Sequence, residues 1–219
     1  MAYTRVTWVN APTATTPVGA TNLNHVEQGI VDAHYPPVVS ALPGSPSDGQ
    51  IVWFSPASFQ VGTPFHPAIL CRYRSSTFDT YHWECAGGAI DGTQNLNPLS
   101  VASSTYVVPT GGAGPTNIVV PAIGEYDVEI GVNLSNGSSS TPVTLFLSYD
   151  VGATPAVDAD ALLVPVTGLT IPNGSYFRRY RKTFTVAGAT LVPKARVNNT
   201  ANGPTFQYFF MRIIPLFIN

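Results

Sequence analysis

Residues 125–134 read EYDVEIGVNL, and apolar and polar side chains alternate strictly along this stretch. A period of two places successive side chains on opposite faces of an extended strand, so one face packs in a core and the other meets solvent. We therefore predict a β-strand with one buried face. The side chains predicted to face the core are Tyr126, Val128, Ile130, Val132 and Leu134.

Several later stretches have the same strand character, and turns containing Asn-Gly, Gly-Gly or Pro separate them. They cover residues 116–121, 143–149, 176–186, 190–197 and 205–218. About seven or eight strands at this spacing are typical of a sandwich or jelly roll. We predict a mainly β protein with a C-terminal antiparallel, jelly-roll-like β-sandwich over residues 96–219.

The last stretch, FQYFFMRIIPLFI at residues 206–218, is apolar on both faces. Such a strand is central in its sheet or is covered by another subunit. A chain with little charge and two aromatic faces on one strand favours a large apolar subunit interface. The residues predicted for this interface are Phe206, Tyr208, Phe209, Phe210 and Met211.

Residues 38–95 are predicted to form a separate small β module. Its strand-like runs are IVWF at 51–54, AILCRYR at 68–74 and YHWECAGG at 81–88. The second and third runs are joined by a short polar turn and are typical of a hairpin. Its predicted register sets Tyr73 opposite Trp83 and Cys71 opposite Cys85, and the aromatic pair helps to fix that register.

The helical pattern of the chain is TPVGATNLNHVEQGIVDAHYPP at residues 16–37. Its apolar residues recur at spacings of three and four, which places them in one stripe, and two prolines end it. About four turns are too few for a stable isolated helix, so the helix must dock on another surface. We predict that residues 1–37 form an anchor or oligomerisation arm; the alternative is a helix packed on the β domain of its own chain. The residues predicted to make these contacts are Trp8, Leu23, Val26 and Ile30.

Composition gives no support for nucleic-acid or membrane binding. Charged residues make up 10% of the chain, and Lys+Arg 10 against Asp+Glu 12 give a net charge of −2. The start of the chain has no signal-peptide pattern, and no apolar run reaches the length of a membrane span. We expect a protein made and folded in the cytosol, with a weakly charged surface that suits a part of an assembly.

No motif points to an enzyme, and we expect neither catalysis nor a cofactor. The patterns G-x-S-x-G, H-E-x-x-H and the Walker motif are absent from the sequence, and the glycines of PTGGAGP at 109–115 lack the Lys and helix that phosphate binding requires. Asp158 and Asp160 are the acidic pair that a glycan-cleaving site would use. As strand neighbours they would share a face, although solvation or a loop explains them more simply.

Four residues of the central part of the chain are of the types that bind zinc: Cys71, Cys85, His66 and His82. Their spacing argues against a metal site, because there is no Cys-x-x-Cys pair and alternation sends His82 to the face opposite Cys85. We predict two buried or facing thiols. A disulfide between them would have to form after cell lysis, since the cytosol keeps thiols reduced.

The basic run RRYRK at residues 178–182 holds four of the ten basic residues of the chain. One interpretation is a surface that attracts phosphate-rich cell-wall polymer or nucleic acid. The other interpretation is structural: alternation splits the run between two faces of the strand, and the acidic strand at 125–129 supplies carboxylates with which the basic side chains form ion pairs. The candidate surface-binding residues are Tyr176, Arg178, Arg179, Tyr180 and Arg181.

Two segments carry motifs with a wider resemblance. They are VTWVNAPTATTPVGATNLNHVEQGI at 6–30 and LPGSPSDGQIVWF at 42–54, followed by WECAGG at 83–88. Together they resemble the N-terminal parts of tailed-bacteriophage virion proteins, particularly siphovirus minor tail, short fibre and adhesin-like proteins. The C-terminal sandwich is similar only in general terms to the β heads of phage fibres and capsid-decorating head-fibre proteins.

The resemblance implies a virion protein assembled in the host cytoplasm and displayed as a short fibre or knob on the tail or capsid. Its implied role is host-surface attachment or particle stabilisation, and its implied partners are other tail or capsid proteins and bacterial cell-surface glycan. The resembled proteins are typically trimeric, which together with the helix stripe and the apolar last strand predicts a homotrimer. The alternative function is a carbohydrate-binding, lectin-like module that uses Tyr106, Tyr176 and Tyr180, because sugar faces pack on flat rings.

Overall fold

The computed structural model describes residues 20–34, 36–56, 68–76, 80–86, 90–91, 99–111, 117–134, 143–166, 174–200 and 204–219. Within them the protein is mainly β, with one short N-terminal α-helix and two β-sheets. In these ranges no helix is both long and apolar enough to cross a membrane. The elements are α1 (Ala20–His34), β1 (Val38–Val39), β2 (Ile51–Phe54), β3 (Ile69–Tyr73), β4 (Trp83–Ala86), β5 (Ile90–Asp91), β6 (Leu99–Ser100), β7 (Ile118–Val119), β8 (Gly124–Leu134), β9 (Val143–Val151), β10 (Leu162–Val166), β11 (Gly174–Phe184), β12 (Thr190–Val197) and β13 (Thr205–Ile218).

The two sheets have the connectivity of a jelly roll. The first sheet has the order β1-β2-β3-β4-β13-β8-β11, with β5 and β6 also paired to β13, and the second has the order β10-β9-β12-β7. Consecutive strands from β7 onward mostly change sheet, so neighbours within a sheet are distant along the chain, as in double Greek keys. The predicted mainly β, jelly-roll-like fold is confirmed.

The alternating strand that decides the fold is β8, which lies between β13 and the edge strand β11 in the first sheet. Tyr126, Val128, Ile130 and Val132 are buried in the core, as their period-two spacing predicts. The hydroxyl of Tyr126 donates a 2.7 Å hydrogen bond to the carbonyl of Ala122, which satisfies the one polar atom of this buried ring.

The strands of the predicted small module belong to the same sheet as the sandwich. β4 pairs with β13, with Trp83 opposite Ile218, and Val52 and Trp83 are buried in the same apolar cluster as the residues of β8. The predicted boundary near residue 95 is therefore not a boundary between two cores. The reason is that β13 has partner strands on both sides. One side pairs with β8, and the other forms hydrogen bonds with β4, β5 and β6.

The predicted hairpin register is confirmed. β3 and β4 are antiparallel, with Tyr73 opposite Trp83 and Cys71 opposite Cys85. The rings of Tyr73 and Trp83 meet edge to face with centroids 5.4 Å apart, a favourable arrangement for aromatic pairs.

The last strand is central, as one of the two interpretations of its apolar faces predicted. An irregularity between Gln207 and Phe210, where Tyr208 has φ 53°, shifts the alternation by one residue. Phe206 and Phe209 consequently point to the same side of the sheet. Their rings pack edge to face, with centroids 6.1 Å apart.

This shift corrects the predicted subunit interface. Phe206, Phe209 and Met211 are fully buried within the chain's own core, so they offer no surface to a second subunit. Tyr208 remains 41% exposed, and Phe210 is half-buried on the opposite face of the sheet.

The predicted helix forms α1, and its apolar stripe faces solvent. Val26 is 58% exposed and Ile30 is 47% exposed, while Leu23 is half-buried. Trp8, the fourth predicted contact residue, lies outside the described residues.

Candidate interaction surface

One face of β11, β8 and β13 points away from the sandwich core, and we call it the outer face. Alternation places on it the residues of each strand that lie between the buried ones. Its members are Phe177, Arg179 and Arg181 from β11, Glu125, Asp127, Glu129 and Gly131 from β8, and Phe210 and Arg212 from β13.

An aromatic pair occupies one end of the outer face. Phe177 and Phe210 are both in register with Gly131, one from each side. Their rings stack with centroids 6.4 Å apart and an interplanar angle of 25°. Phe177 is 54% exposed, so the pair presents a flat apolar patch to solvent.

Gly131 is what allows the two rings to approach each other. A methyl group on residue 131 would lie 2.2 Å from Cε1 of Phe210, far inside van der Waals contact. A glycine within a strand is a signal of such close approach, and it stands in the middle of the alternating sequence of β8.

Beside the aromatic pair, Glu129 lies between two arginines. Its Oε1 is 3.4 Å from Nη1 of Arg179, and its Oε2 accepts a hydrogen bond from Nε of Arg212. The Glu129 side chain is only 5% exposed, so this carboxylate is desolvated and needs both partners. The Arg212 guanidinium also lies 5.8 Å from the ring centroid of Phe210, within cation–π range.

The next row of the outer face continues the alternation of charge. Nη2 of Arg179 is 2.6 Å from Oδ2 of Asp127, and this carboxylate raises the pKa of Arg179. Arg181 lies 3.7 Å from Glu125 and 3.9 Å from Asp127. The basic strand and the acidic strand are thus electrostatic mates, as the structural interpretation of RRYRK predicted. Three arginines face three carboxylates, so this part of the outer face is neutral.

The other half of the basic run points to the opposite side. Arg178 donates to the carbonyl of Ala159 at 2.9 Å and to that of Ala161, and Nζ of Lys182 is 2.6 Å from Oδ2 of Asp160. These contacts hold a single 3-10 turn, Asp158–Asp160, against β11. The five candidate surface-binding residues therefore do not form one basic site.

Tyr180 belongs to this internal network. Its hydroxyl is 2.9 Å from the hydroxyl of Tyr149 and 3.0 Å from the carbonyl of Asp160. Burial raises the pKa of both tyrosines above the usual range, which keeps both hydroxyls protonated as hydrogen-bonding groups.

Both carboxylates of the acidic pair have cationic partners. Asp158 accepts from Nε of Arg196 at 3.0 Å and lies 2.5 Å from Nη2, and it also accepts from the hydroxyl of Tyr106 at 2.8 Å. The hydrogen bonds from Arg196, followed by that from Tyr106, lower the pKa of Asp158. The pair stands in a turn and not in a strand, so the two side chains do not share a face in the way that strand neighbours would.

The tyrosines considered for sugar binding do not form a common flat platform. Tyr106 is held by Asp158, and its ring lies 5.3 Å from the guanidinium of Arg196. Tyr176 and Tyr180 are partly buried and pack against the core. A cleft of about 440 Å³ near this network is lined largely by apolar groups, with the paired Asp160 and Lys182 at its side.

The described residues hold no cluster of three metal-ligating side chains, and His66 lies outside them. Cys71 and Cys85 are free thiols whose sulfur atoms are 3.0 Å apart, so the predicted facing thiols are present.

The PSDGQ motif at residues 46–50, which is part of the segment LPGSPSDGQIVWF, has a structural role at the start of β2. Gly49 adopts φ 78° and donates to the carbonyl of Tyr73 at 3.0 Å. Oδ1 of Asp48 accepts from the backbone of Ser75 at 2.8 Å, which is the largest cause of the lowered pKa of Asp48. The motif therefore ties the turn before β2 to the end of β3.

Comparison with known proteins adds no family. No protein-family model matches the chain, and no curated protein matches it. Among solved structures, the chain is similar to an Eiger TNF from S. frugiperda, at 15% identity and a TM-score of 0.38 over 60% of this chain and 93% of that one. It is also similar to Arthrobacter globiformis T6 isomalto-dextranase complexed with panose, at 14% identity and a TM-score of 0.28 over 68% of this chain and 21% of the enzyme. Similarity at this level says nothing of function.

Proposed function

We propose that the protein is a non-enzymatic structural component of a tailed-bacteriophage virion, displayed on the tail or capsid as a short fibre or knob. In this role it forms a homotrimer, binds other tail or capsid proteins, and either attaches to bacterial cell-surface glycan or stabilises the particle. The virion assignment is supported by the sequence motifs of residues 6–30, 42–54 and 83–88.

The single observation that carries the self-association is the outer face. It combines the exposed stack of Phe177 on Phe210 with a ladder of paired charges that is neutral as a whole. A neutral face bearing both signs is compatible with a second copy of itself, whereas a strongly basic or acidic face would repel one. Aromatic and arginine side chains are also the types enriched at the centres of protein interfaces.

The exposed stripe of α1 supports the anchoring part of the proposal. Val26 and Ile30 place two large apolar side chains in solvent on a helix of 15 residues. A helix of this length gains stability mainly from packing, so a neighbouring copy or a particle surface is the natural partner of this stripe.

The occupied acidic pair supports a non-enzymatic role. Glycan hydrolysis needs one carboxyl group to donate a proton and a second carboxylate to act as base or nucleophile. Asp158 is engaged by Arg196 and Asp160 by Lys182, and the lowered pKa of Asp158 is opposite to what a general acid requires.

Light scattering on the purified full-length chain at micromolar concentration tests the self-association. The expected mass is three times the 23.2 kDa of one chain. A stable monomer would refute self-association, and a dimer would leave an interface but remove the trimer.

Quantitative mass spectrometry of gradient-purified virions tests the location. Peptides of this chain are expected in the particle, with a few copies for a tail or collar position and many for capsid decoration. Their absence from the particle would refute the virion role. Sugar binding on a glycan array by a chain that is absent from particles would favour the lectin alternative.

A further inference from the structure

The two cysteines of the β3–β4 hairpin are placed for a covalent cross-link. Cys71 and Cys85 are directly opposite each other, and their sulfur atoms are 3.0 Å apart. A disulfide bond is about 2.05 Å long, so a sulfur displacement of roughly 1 Å forms it.

The hydrogen-bond pattern places this pair at the favourable type of position. The amide of Arg74 donates to His82 across the hairpin, whereas the amide of Tyr73 donates to Gln50 on the β2 side. Alternation then makes Cys71 and Cys85 a non-hydrogen-bonded pair, in which opposite Cα atoms are about 4.5 Å apart and side chains are closest. That separation lies within the range of about 4.4–6.8 Å found across disulfides.

We propose that Cys71 and Cys85 are a modification site at which oxidation forms an intrachain disulfide across β3 and β4. The oxidant is a small-molecule disulfide of the glutathione class. Each thiol gives up one proton, the pair gives up two electrons to form one S–S bond, and the small disulfide is reduced to two thiols. The inference does not depend on the proposed virion role.

Burial sets the order of the two steps. Cys71 is fully buried, whereas Cys85 is only partly buried and is the sulfur that an oxidant reaches first. Attack by the Cys85 thiolate gives a mixed disulfide, and Cys71 then displaces the small thiol. The hydrogen bond with Cys71, and then burial, raise the pKa of Cys85, so the first step is slow at neutral pH and accelerates as pH rises.

The cross-link stabilises the part of the first sheet that lies beyond β13. It joins residues 14 positions apart, and β4 is in turn hydrogen-bonded to β13. A closed loop of this size restricts the unfolded chain, which raises the unfolding temperature of a domain this large by roughly 5–10 °C.

The test uses the full-length chain, purified with reductant and then incubated with oxidised glutathione at pH 8. Intact-protein mass spectrometry is expected to show the loss of two hydrogen atoms per chain. A denaturing gel run without reductant is expected to show single chains and no cross-linked dimer. The unfolding temperature is expected to rise. Cys71→Ala is expected to stop at a mixed disulfide on Cys85, and Cys85→Ser is expected to stay unmodified while folded.

Three results would overturn the proposal. They are a wild-type chain that keeps both thiols after prolonged oxidation, a wild-type chain that accumulates the glutathione adduct, and a cross-link that joins two chains. Circular dichroism of each variant before oxidation establishes that it is folded, so that a loss of the cross-link is not confused with a loss of structure.

Discussion

The rings of Phe177 and Phe210 come from strands that are not adjacent, and they stack 6.4 Å apart above Gly131 of the strand between them. The aromatic patch therefore forms only when β11, β8 and β13 are assembled in one sheet. A substitution in each strand tests its contribution separately.

Phe177→Asp is expected to weaken self-association. The substitution removes the exposed ring and adds a charge to the apolar part of the proposed interface, where truncation of a hot-spot residue costs about 2 kcal/mol or more, or roughly thirtyfold in affinity. Sedimentation equilibrium measures the change. Leu163→Asp is the matched control, because Leu163 is 50% exposed on the second sheet. Equal loss in both variants would contradict an interface on the outer face.

Alanine at two glycines of β8 is expected to have unequal effects on stability. At residue 124 a methyl group would lie 2.2 Å from the backbone oxygen of Phe217, which is fixed in the sheet, so Gly124→Ala is expected to cost about 1–3 kcal/mol. At residue 131 the methyl group meets only the half-exposed ring of Phe210, which is able to swing outward. Gly131→Ala is therefore expected to keep the free energy of unfolding within about 1 kcal/mol while weakening self-association. Urea denaturation at low protein concentration separates the two; a larger loss for Gly131→Ala would show that the outer face is part of the core.

Glu129→Gln is expected to destabilise the chain by about 1–2 kcal/mol, since it removes the charge that lies between Arg179 and Arg212 in a site that is 5% exposed. Glu125→Gln is the control, because Glu125 is 35% exposed and its arginine is 3.7 Å away, and it is expected to change stability by less than about 0.5 kcal/mol. Chemical denaturation measures both. Similar values for the two variants would mean that burial of Glu129 adds nothing.

Asp158→Asn is expected to lower the unfolding temperature at neutral pH but not in acid. The folded-state pKa of Asp158 lies below its unfolded value, so the ion pair with Arg196 stabilises the protein above about pH 4 and this contribution disappears as pH falls through the folded-state pKa. Thermal unfolding of both proteins between pH 2 and pH 7 is expected to show two curves that converge at low pH. A difference in unfolding temperature that stays constant down to pH 2 would show that Asp158 stabilises the protein through hydrogen bonds that do not need its charge.

A chain that begins at residue 36 is expected to fold and to lose anchoring. The carbonyl of Pro37 accepts a 2.8 Å hydrogen bond from Trp53, so the cut belongs before this residue and not after it. Circular dichroism and binding to purified particles test the two halves of the expectation. An unfolded product would show that the arm is part of the β domain.

The sequence predicted those features that depend on local periodicity. The alternation of β8, the register of Cys71 with Cys85 and the split of the basic run between two faces all follow from the period of two, and the structure has each of them. The bulge beside Tyr208 was not predictable in this way, because one inserted residue reverses every later face without changing the composition. β10 was missed because Pro165 interrupts an already short run.

The pairing of strands that are distant along the chain was also not predictable from the sequence. Nothing in the local pattern indicates that Trp83 pairs with Ile218, which made the first module look separate. The aromatic stack was missed for the same reason, since Phe177 and Phe210 meet only when β11, β8 and β13 are assembled. The glycine within the β8 pattern was the available signal for that close approach.

The central position of β13 determines when the chain is able to fold. Strands β4, β5, β6 and β8 all pair with β13, which is synthesised after them. Between β8 and β13 the chain forms β11 of the same sheet and three strands of the other sheet, β9, β10 and β12. Contacts of such long sequence separation form slowly, and until they form the unpaired edges and apolar faces of the earlier strands are exposed to other nascent chains. The protein therefore completes its sheet only after β13 has left the ribosome, and the interval before that is the period in which it most needs protection by chaperones.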